Sequence, residues 1–312
     1  MNYQIPLKYS QNLIKDSNLI ENLISLTDLN KNDLVLDIGT GKGVIAKELA
    51  KRVKNVIAIE KDQDLFLKAK ENLRLINNIE LKNNDILAFK LPEREYKVFS
   101  NIPFSLTLEI TKKLFEDDNR PSIAYLFMQK EAAEKFIGNP LFKESLSSIL
   151  YKPLYTTKII YNFRPDDFDP VPSKDVCLIE FKLKTKFDVD AKNYVMFRDF
   201  VTYAFNRWKP NIKLALKGIF SNLQLKILAS NLDFDLEAKP SQISYATWLR
   251  LYIEFNKIVP RYKQRSVLGS FAHMNVNQLN MRKVNKNNLE KSLQERIDNP
   301  KPKKNAWRGK RW

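Results

Sequence analysis

Short apolar, β-branched runs alternate with amphipathic stretches through roughly the first 180 residues, the pattern of an α/β sheet wound on both faces by helices. Leu34-Val35-Leu36-Asp37-Ile38 predicts a first strand, Val56-Ile57-Ala58-Ile59-Glu60 a second, and Ile79-Glu80-Leu81-Lys82 a third. Val98-Phe99-Ser100 predicts a fourth. Ser122-Ile123-Ala124-Tyr125-Leu126-Phe127-Met128, apolar almost throughout, predicts a fifth that is buried on both faces and central. Lys158 to Phe163 and Val176 to Phe181 predict a closing antiparallel pair. Between them, the three prolines of Arg164-Pro165-Asp166-Asp167-Phe168-Asp169-Pro170-Val171-Pro172 exclude helix or central strand. Past residue 185 the period becomes helical: Tyr194, Phe197, Phe200, Val201 and Ala204, then Ile212, Ala215, Leu216 and Ile219, then Trp248, Leu251, Tyr252 and Phe255. From Arg261 this period fades into Asn, Lys and Arg. The pattern divides the chain into an α/β domain over residues 1–184, a small all-helical domain over 185–260 and a basic tail over 261–312, most of it expected to be mobile without a partner.

Charge gives the tail a meaning. The net charge is +17; residues 261–312 hold 14 Lys/Arg against 3 Asp/Glu, a balance of +11, which leaves 39 against 33, or +6, for residues 1–260. Such a tail suits a polyanion, most simply nucleic acid, and equally a solvated, solubilising end. A single cysteine, Cys177, and a single histidine, His273, exclude internal disulfides, cysteine metal clusters and most histidine catalysis, and no metal is expected. No run of about 20 apolar residues and no secretory pattern occurs, so a cytoplasmic protein that does not meet membranes is expected.

Glycine is scarce, seven where average usage gives about 22. Three of them, Gly39, Gly41 and Gly43, directly follow the first strand and precede a helical run from Val44 to Val53. Glycines there permit a tight turn and close approach of a ligand to a helix N-terminus. Val44 stands where a dinucleotide motif has its third glycine, so the G-x-G-x-G spacing disfavours NAD or FAD and fits S-adenosylmethionine. Glu60, ending the second strand, suits ribose hydroxyls. Asp85 follows the third strand, where it is either a turn residue or an acceptor for an adenine amine. Asn101-Ile102-Pro103-Phe104, after the fourth strand, combines a side-chain amide, a proline-fixed backbone and an aromatic face. That set suits methylation of the exocyclic amine of a planar base: Asn101 and a backbone carbonyl accept the two N–H bonds while Phe104 stacks.

In this order, Ser10-Gln11-Asn12, Asp37 to Gly43, Glu60, Asn84-Asp85-Ile86, Asn101 to Phe104 and Phe168-Asp169-Pro170-Val171-Pro172 resemble the ribosomal RNA adenine N6-methyltransferases over about residues 8–182. The resemblance implies a Rossmann-like, seven-stranded S-adenosylmethionine-dependent domain and a monomer acting on ribosomal RNA. Gln11, Asn12 and Ile14 would close over the cofactor, Gly39 and Gly41 would approach its amino-acid end, Glu60 would hold the ribose, Asp85 and Ile86 the adenine, and Asn101 would serve both cofactor and base. Lys42 in the glycine loop resembles the Erm branch, which modifies 23S rRNA and confers macrolide, lincosamide and streptogramin B resistance. Gln129-Lys130-Glu131 resembles the KsgA-type branch, which dimethylates 16S rRNA. A non-catalytic nucleic-acid-binding protein on the same scaffold is the alternative of another class. Two features depart from the family pattern: Phe104 stands in place of the usual Tyr, and Lys174 and Val176 in place of the Val and Ser that usually follow the proline loop. Phe168 is a candidate either for the second face of the base or cofactor or for a core anchor of that loop. Arg164, Arg207, Lys209, Lys8, Lys112, Lys113 and the tail are candidates for RNA phosphates.

Overall fold

A computed structural model describes residues 13–14, 16–138, 140–206 and 209–277. The chain opens with β1 (Leu13–Ile14) and α1 (Ser17–Ser25), then alternates β2 (Leu34–Ile38), α2 (Val44–Arg52), β3 (Asn55–Glu60), α3 (Gln63–Leu73), β4 (Ile79–Asn83), β5 (Lys97–Asn101), α4 (Thr107–Glu116), β6 (Ile123–Gln129) and α5 (Lys130–Ile137). After α6 (Leu146–Tyr151) come β7 (Tyr155–Asn162), β8 (Phe168–Asp169) and β9 (Val176–Leu183). All seven apolar runs predicted as strands are strands of one sheet, ordered β4-β3-β2-β5-β6-β9-β7. β4, β3, β2, β5 and β6 are parallel, and β9 runs antiparallel between β6 and β7. This is a Rossmann-like methyltransferase fold.

Alternate strand residues feed opposite layers. Val35, Tyr125 and Phe127 pack under α1, α2 and α3. Leu34, Leu36, Ala124, Leu126 and Met128 face the other side, where the core runs without a break into the helical region. There α7 (Ala191–Asn206), α8 (Ile212–Leu216), α9 (Asn222–Leu232) and α10 (Tyr245–Ile258) enclose Phe197, Phe200, Trp248, Leu251 and Phe255, each fully buried. The positions that set the helical period are these core positions.

Ordered structure continues past the expected start of the tail. α11 (Arg261–Gln264) is followed by a short 3-10 turn and a helical stretch over residues 270–277, with Val267 and Phe271 buried. Leu268 and Gly269 break the backbone between these two buried residues, so they set up no continuous helical period in the sequence, although helical structure continues past residue 260. The rest of the expected tail, 278–312, lies outside the described residues. Within the proline loop, Pro165–Asp167 form one 3-10 turn and β8 pairs antiparallel with β1, Ile14 opposite Phe168 and Leu13 opposite Asp169.

Candidate active site

The chain order of strands reverses between β2 and β5, and a doubly wound sheet opens a crevice beyond the carboxyl ends of its strands at such a point. β2 and β5 are paired at Val35–Lys97 and Leu36–Val98. Further on, the buried Ser100 hydroxyl holds them together, donating to the Ile38 carbonyl (2.6 Å) and accepting the Ile38 amide (2.9 Å). One hydroxyl thus fixes the last residue before the glycine turn to the residue before Asn101. Ser100→Ala strands a buried amide and carbonyl and is expected to cost about 2–4 kcal/mol in denaturant unfolding.

The glycine turn rests on the end of β3, with the amides of Gly39 and Thr40 both donating to the Ile59 carbonyl (2.8 and 3.0 Å). The Gly41 amide donates to Glu60 Oε2 (2.8 Å), and Oε1 of the same carboxylate accepts the Asp62 amide (2.8 Å). Burial raises the Glu60 carboxyl above its ordinary value, against the pull of the Asp62 and Gly41 amides. The third glycine has a packing reason: Gly43 has φ 85°, and a Cβ there would stand 2.8 Å from Leu73 on α3. Beneath the turn, Asp37 is wholly buried and accepts the Thr40 hydroxyl (2.6 Å). Burial pushes its carboxyl up to about 7, the Thr40 bond opposing and the Glu60 charge adding.

A folded-state value above the unfolded one means that the fold takes up a proton as pH falls from about 7 towards 4. Stability from this group is therefore full at low pH and is lost as pH rises through about 7. Asp37→Asn, which keeps the shape of the neutral acid, is expected to reduce the loss of stability between pH 5 and pH 8 by about 2–3 kcal/mol, read from denaturant midpoints at the two pH values.

A cleft of about 330 Å³ opens between these elements, walled by Ile14, Ile20, Gly39, Thr40, Lys42, Val44, Ile45, Asn101 and Asp169. Three of the expected residues, Ile14, Gly39 and Asn101, therefore meet at one cavity, while Gly41 and Glu60, joined by their hydrogen bond, are not among its walls. Asp85 and Ile86 lie beside Glu60. Asp85 pairs with Lys61 (2.8 Å) and caps the Leu87 amide (3.0 Å). Burial pushes the Asp85 carboxyl up, but Lys61 and that amide together hold it below its ordinary value. Thr40, Lys42 and Val44 belong to the wall because they share the glycine turn, and Asp169 does so through the β1–β8 pairing, which sequence spacing does not reveal.

The other expected residues lie partly around this cleft and partly in the core. The Ile102 side chain is 1% exposed and belongs to the core, so only its backbone is available to a substrate. Pro103 begins a 3-10 turn, its carbonyl taken by the Leu106 amide (2.9 Å), and Phe104 is half-buried at the head of that turn. Phe168, a candidate for the face of a base, is wholly buried with its ring edge-on to Phe163 (centroids 5.1 Å apart). It is the core anchor of the proline loop, because the β1–β8 pairing turns it inward. Arg164 is exposed, with the carboxylates of Asp166 (3.9 Å) and Asp167 (3.4 Å) beside its guanidinium. Lys209 is exposed in the turn before α8. Gln11, Asn12 and Arg207 lie outside the described residues.

The model of the family described as ribosomal RNA adenine dimethylase matches residues 2–257. The chain belongs to this family. An rRNA adenine N-6-methyltransferase from Bacteroides fragilis is 29% identical over 259 residues, covering 82% of this chain and 96% of the relative. A ribosomal RNA small subunit methyltransferase A from Mycoplasma mobile is 28% identical over 261 residues, covering 82% of this chain and 100% of that protein. The crystal structure of 23S rRNA methyltransferase ErmE shares the fold, with a TM-score of 0.71 at 22% identity over 78% of this chain and 100% of that one. This dimethylase-family chain is an rRNA adenine N6-methyltransferase, and its methyl donor is S-adenosylmethionine. The residues present suit that donor: a cleft at the sheet's switch point, a positive-φ glycine turn over it and a buried carboxylate at the end of β3.

Proposed function

We propose that this methyltransferase acts on N6 of an adenine in 23S rRNA and protects the ribosome against macrolide, lincosamide and streptogramin B antibiotics. The observation that carries the reading is Lys42, the residue of the glycine loop that resembles the Erm branch, set in the wall of the same cleft as Asn101. The relative from Bacteroides fragilis and the ErmE fold support it. Gln129-Lys130-Glu131, where β6 passes into α5, and the small-subunit relative favour a second reading, KsgA-type dimethylation of 16S rRNA.

When bound, S-adenosylmethionine supplies a methyl group already activated on a sulfonium, so the protein's part is alignment. Gly39, Thr40 and Ile14 would border its amino-acid end, Glu60 its ribose, and Asp85 and Ile86 its adenine. The target adenine leaves its stack, at a cost of a few kcal/mol, and its ring rests on Phe104. Asn101 Oδ1 and the carbonyl of Ile102 accept the two hydrogens of the exocyclic amine. That geometry draws the nitrogen lone pair out of the ring plane and aims it into the cleft. The Pro103 carbonyl is the weaker acceptor because the Leu106 amide already uses it.

The test is expression in a macrolide-susceptible bacterium beside an Asn101→Ala control, with primer extension across both large rRNAs. Erythromycin resistance and a new stop on 23S rRNA, both lost in the control, are expected. A new stop on 16S rRNA alone, without resistance, replaces this reading with the second.

A further inference from the structure

Among the described residues, the wall of the cleft carries two charged side chains, Lys42 and Asp169, and the rest of it is apolar or neutral. Other charged groups near the glycine turn are already engaged: Glu60 by the Gly41 and Asp62 amides, Asp37 by the Thr40 hydroxyl, and Asp85 by Lys61. Lys42 and Asp169 are both exposed, and among the described residues no hydrogen bond or ion pair engages either side chain. Their backbones, by contrast, are held. In the glycine turn the Gly43 amide donates to the Thr40 carbonyl (2.9 Å), and the Lys42 carbonyl accepts Asn72 Nδ2 (2.9 Å). Asp169 follows Phe168 on β8, and the burial of that ring in the core turns the next side chain to the opposite face.

The two signs are also ordered. Val44 and Ile45, the first residues of α2, share the wall with Lys42, and α2 starts at Gly43 with no side-chain cap and no acidic residue in its first turn. The positive end of the helix dipole therefore adds to the lysine, so this side of the cleft attracts an anion. Asp169, on the β1–β8 pair, attracts a cation. The amino-acid end of S-adenosylmethionine answers both, because it carries a carboxylate and an ammonium on one carbon. We infer that Asp169 and Lys42 clamp this end of the methyl donor, Asp169 accepting hydrogen bonds from the α-ammonium and Lys42 donating to the α-carboxylate. The flexible stem of the lysine lets its charge follow the ligand, while the short Asp169 side chain fixes where the ammonium sits. Donor and product both keep the amino acid, so the clamp serves occupancy of the cleft and not the chemical step. The inference rests on this cleft holding the donor, whichever rRNA is methylated.

Calorimetric titration without RNA tests the clamp on the parent, Asp169→Asn, Lys42→Met and Glu60→Ala. The ligands are S-adenosylhomocysteine, its decarboxylated form, its deaminated form, and methylthioadenosine, which lacks the whole amino-acid end. Asp169→Asn is expected to weaken S-adenosylhomocysteine and the decarboxylated form, which keeps the amine, by about tenfold, the worth of one charge-assisted bond, and to weaken neither of the other two. Lys42→Met should show the complementary pattern, a loss of about the same size for S-adenosylhomocysteine and the deaminated form, which keeps the carboxylate, and none for the others. Glu60→Ala, which removes the proposed ribose contact, should weaken all four. A loss on Asp169→Asn or Lys42→Met that is as large for methylthioadenosine overturns the clamp, leaving these residues as supports of the cleft. Unchanged affinity for S-adenosylhomocysteine in either variant overturns it as well. If Glu60→Ala weakens none of the ligands, the placement of the donor in this cleft fails, and the clamp with it. Ligand-free melting midpoints check folding, and Asp169→Ser replaces Asp169→Asn if the latter lowers its midpoint.

Discussion

Asn101→Ala is expected to lower the rate of methyl transfer by about 10²–10³-fold, the scale of removing one preorganised hydrogen-bonding group from an active site. Asn101 ends β5, where it pairs with Phe127 of β6 and stands in the cleft wall with Gly39. Its backbone is fixed by the sheet, so the substitution removes the side-chain acceptor and leaves the strand. The amine of adenine is a weak nucleophile because its lone pair is delocalised into the ring, and in the proposed complex the acceptor at residue 101 helps to localise it. Single-turnover transfer of a labelled methyl group should therefore show the loss in the chemical step, while affinity for RNA, which comes mainly from phosphate contacts, changes little. Asn101→Asp keeps an acceptor and should retain more activity than the alanine variant. A rate for Asn101→Ala within tenfold of the parent would remove Asn101 from the catalytic role.

Glu60→Ala is expected to weaken cofactor binding by 10²-fold or more, on the order of 3 kcal/mol, with a smaller effect on unfolding. The carboxylate has two tasks in the proposed complex. It holds the Gly41 amide and the Asp62 amide, which shape the turn, and its remaining lone pairs accept the ribose hydroxyls. Glu60→Gln keeps the volume but presents an NH₂ group to one of the two amides, so the turn loses a bond and gains a repulsion. Because burial raises the Glu60 carboxyl, affinity for S-adenosylhomocysteine should begin to fall, as pH is lowered, at a higher pH than an ordinary carboxylate would give. Calorimetric titration of both variants across pH reads these effects. An affinity within threefold of the parent would reassign the ribose contact.

Much of the catalytic half was legible because its signals are local. A parallel strand buried on both faces carries a nearly continuous apolar run, so β2, β3 and β6 announce themselves, whereas β5 shows only Val98 and Phe99 between Lys97 and Ser100. A turn with glycines at φ 61–85° has few substitutes for glycine, so the turn after β2 is visible in a glycine-poor chain. Phe168 shows the opposite case. A phenylalanine in a proline loop has no intrinsic side, and only the pairing of Ile14 with Phe168 turns it into the core. Arg164 has a similar history: its charge is plain in the sequence, while its pairing with both Asp166 and Asp167 depends on the 3-10 turn between them.

By itself, then, the sequence determined the α/β alternation, the seven strands, the G-x-G-x-G turn, the acidic residues that end or follow the strands and the Asn101–Phe104 turn that follows β5, because each depends on residues within one element or one turn. Tertiary structure decided the rest. It set the strand order that opens the crevice between β2 and β5, the Ser100 bridge across it, the use of Glu60 to hold Gly41, the inward face of Phe168 and the docking of residues 261–277 on α4 and α7. Each of these joins groups far apart in the chain through a hydrogen bond or a buried face, and such a contact takes its strength from the exclusion of water, which only the assembled layers provide.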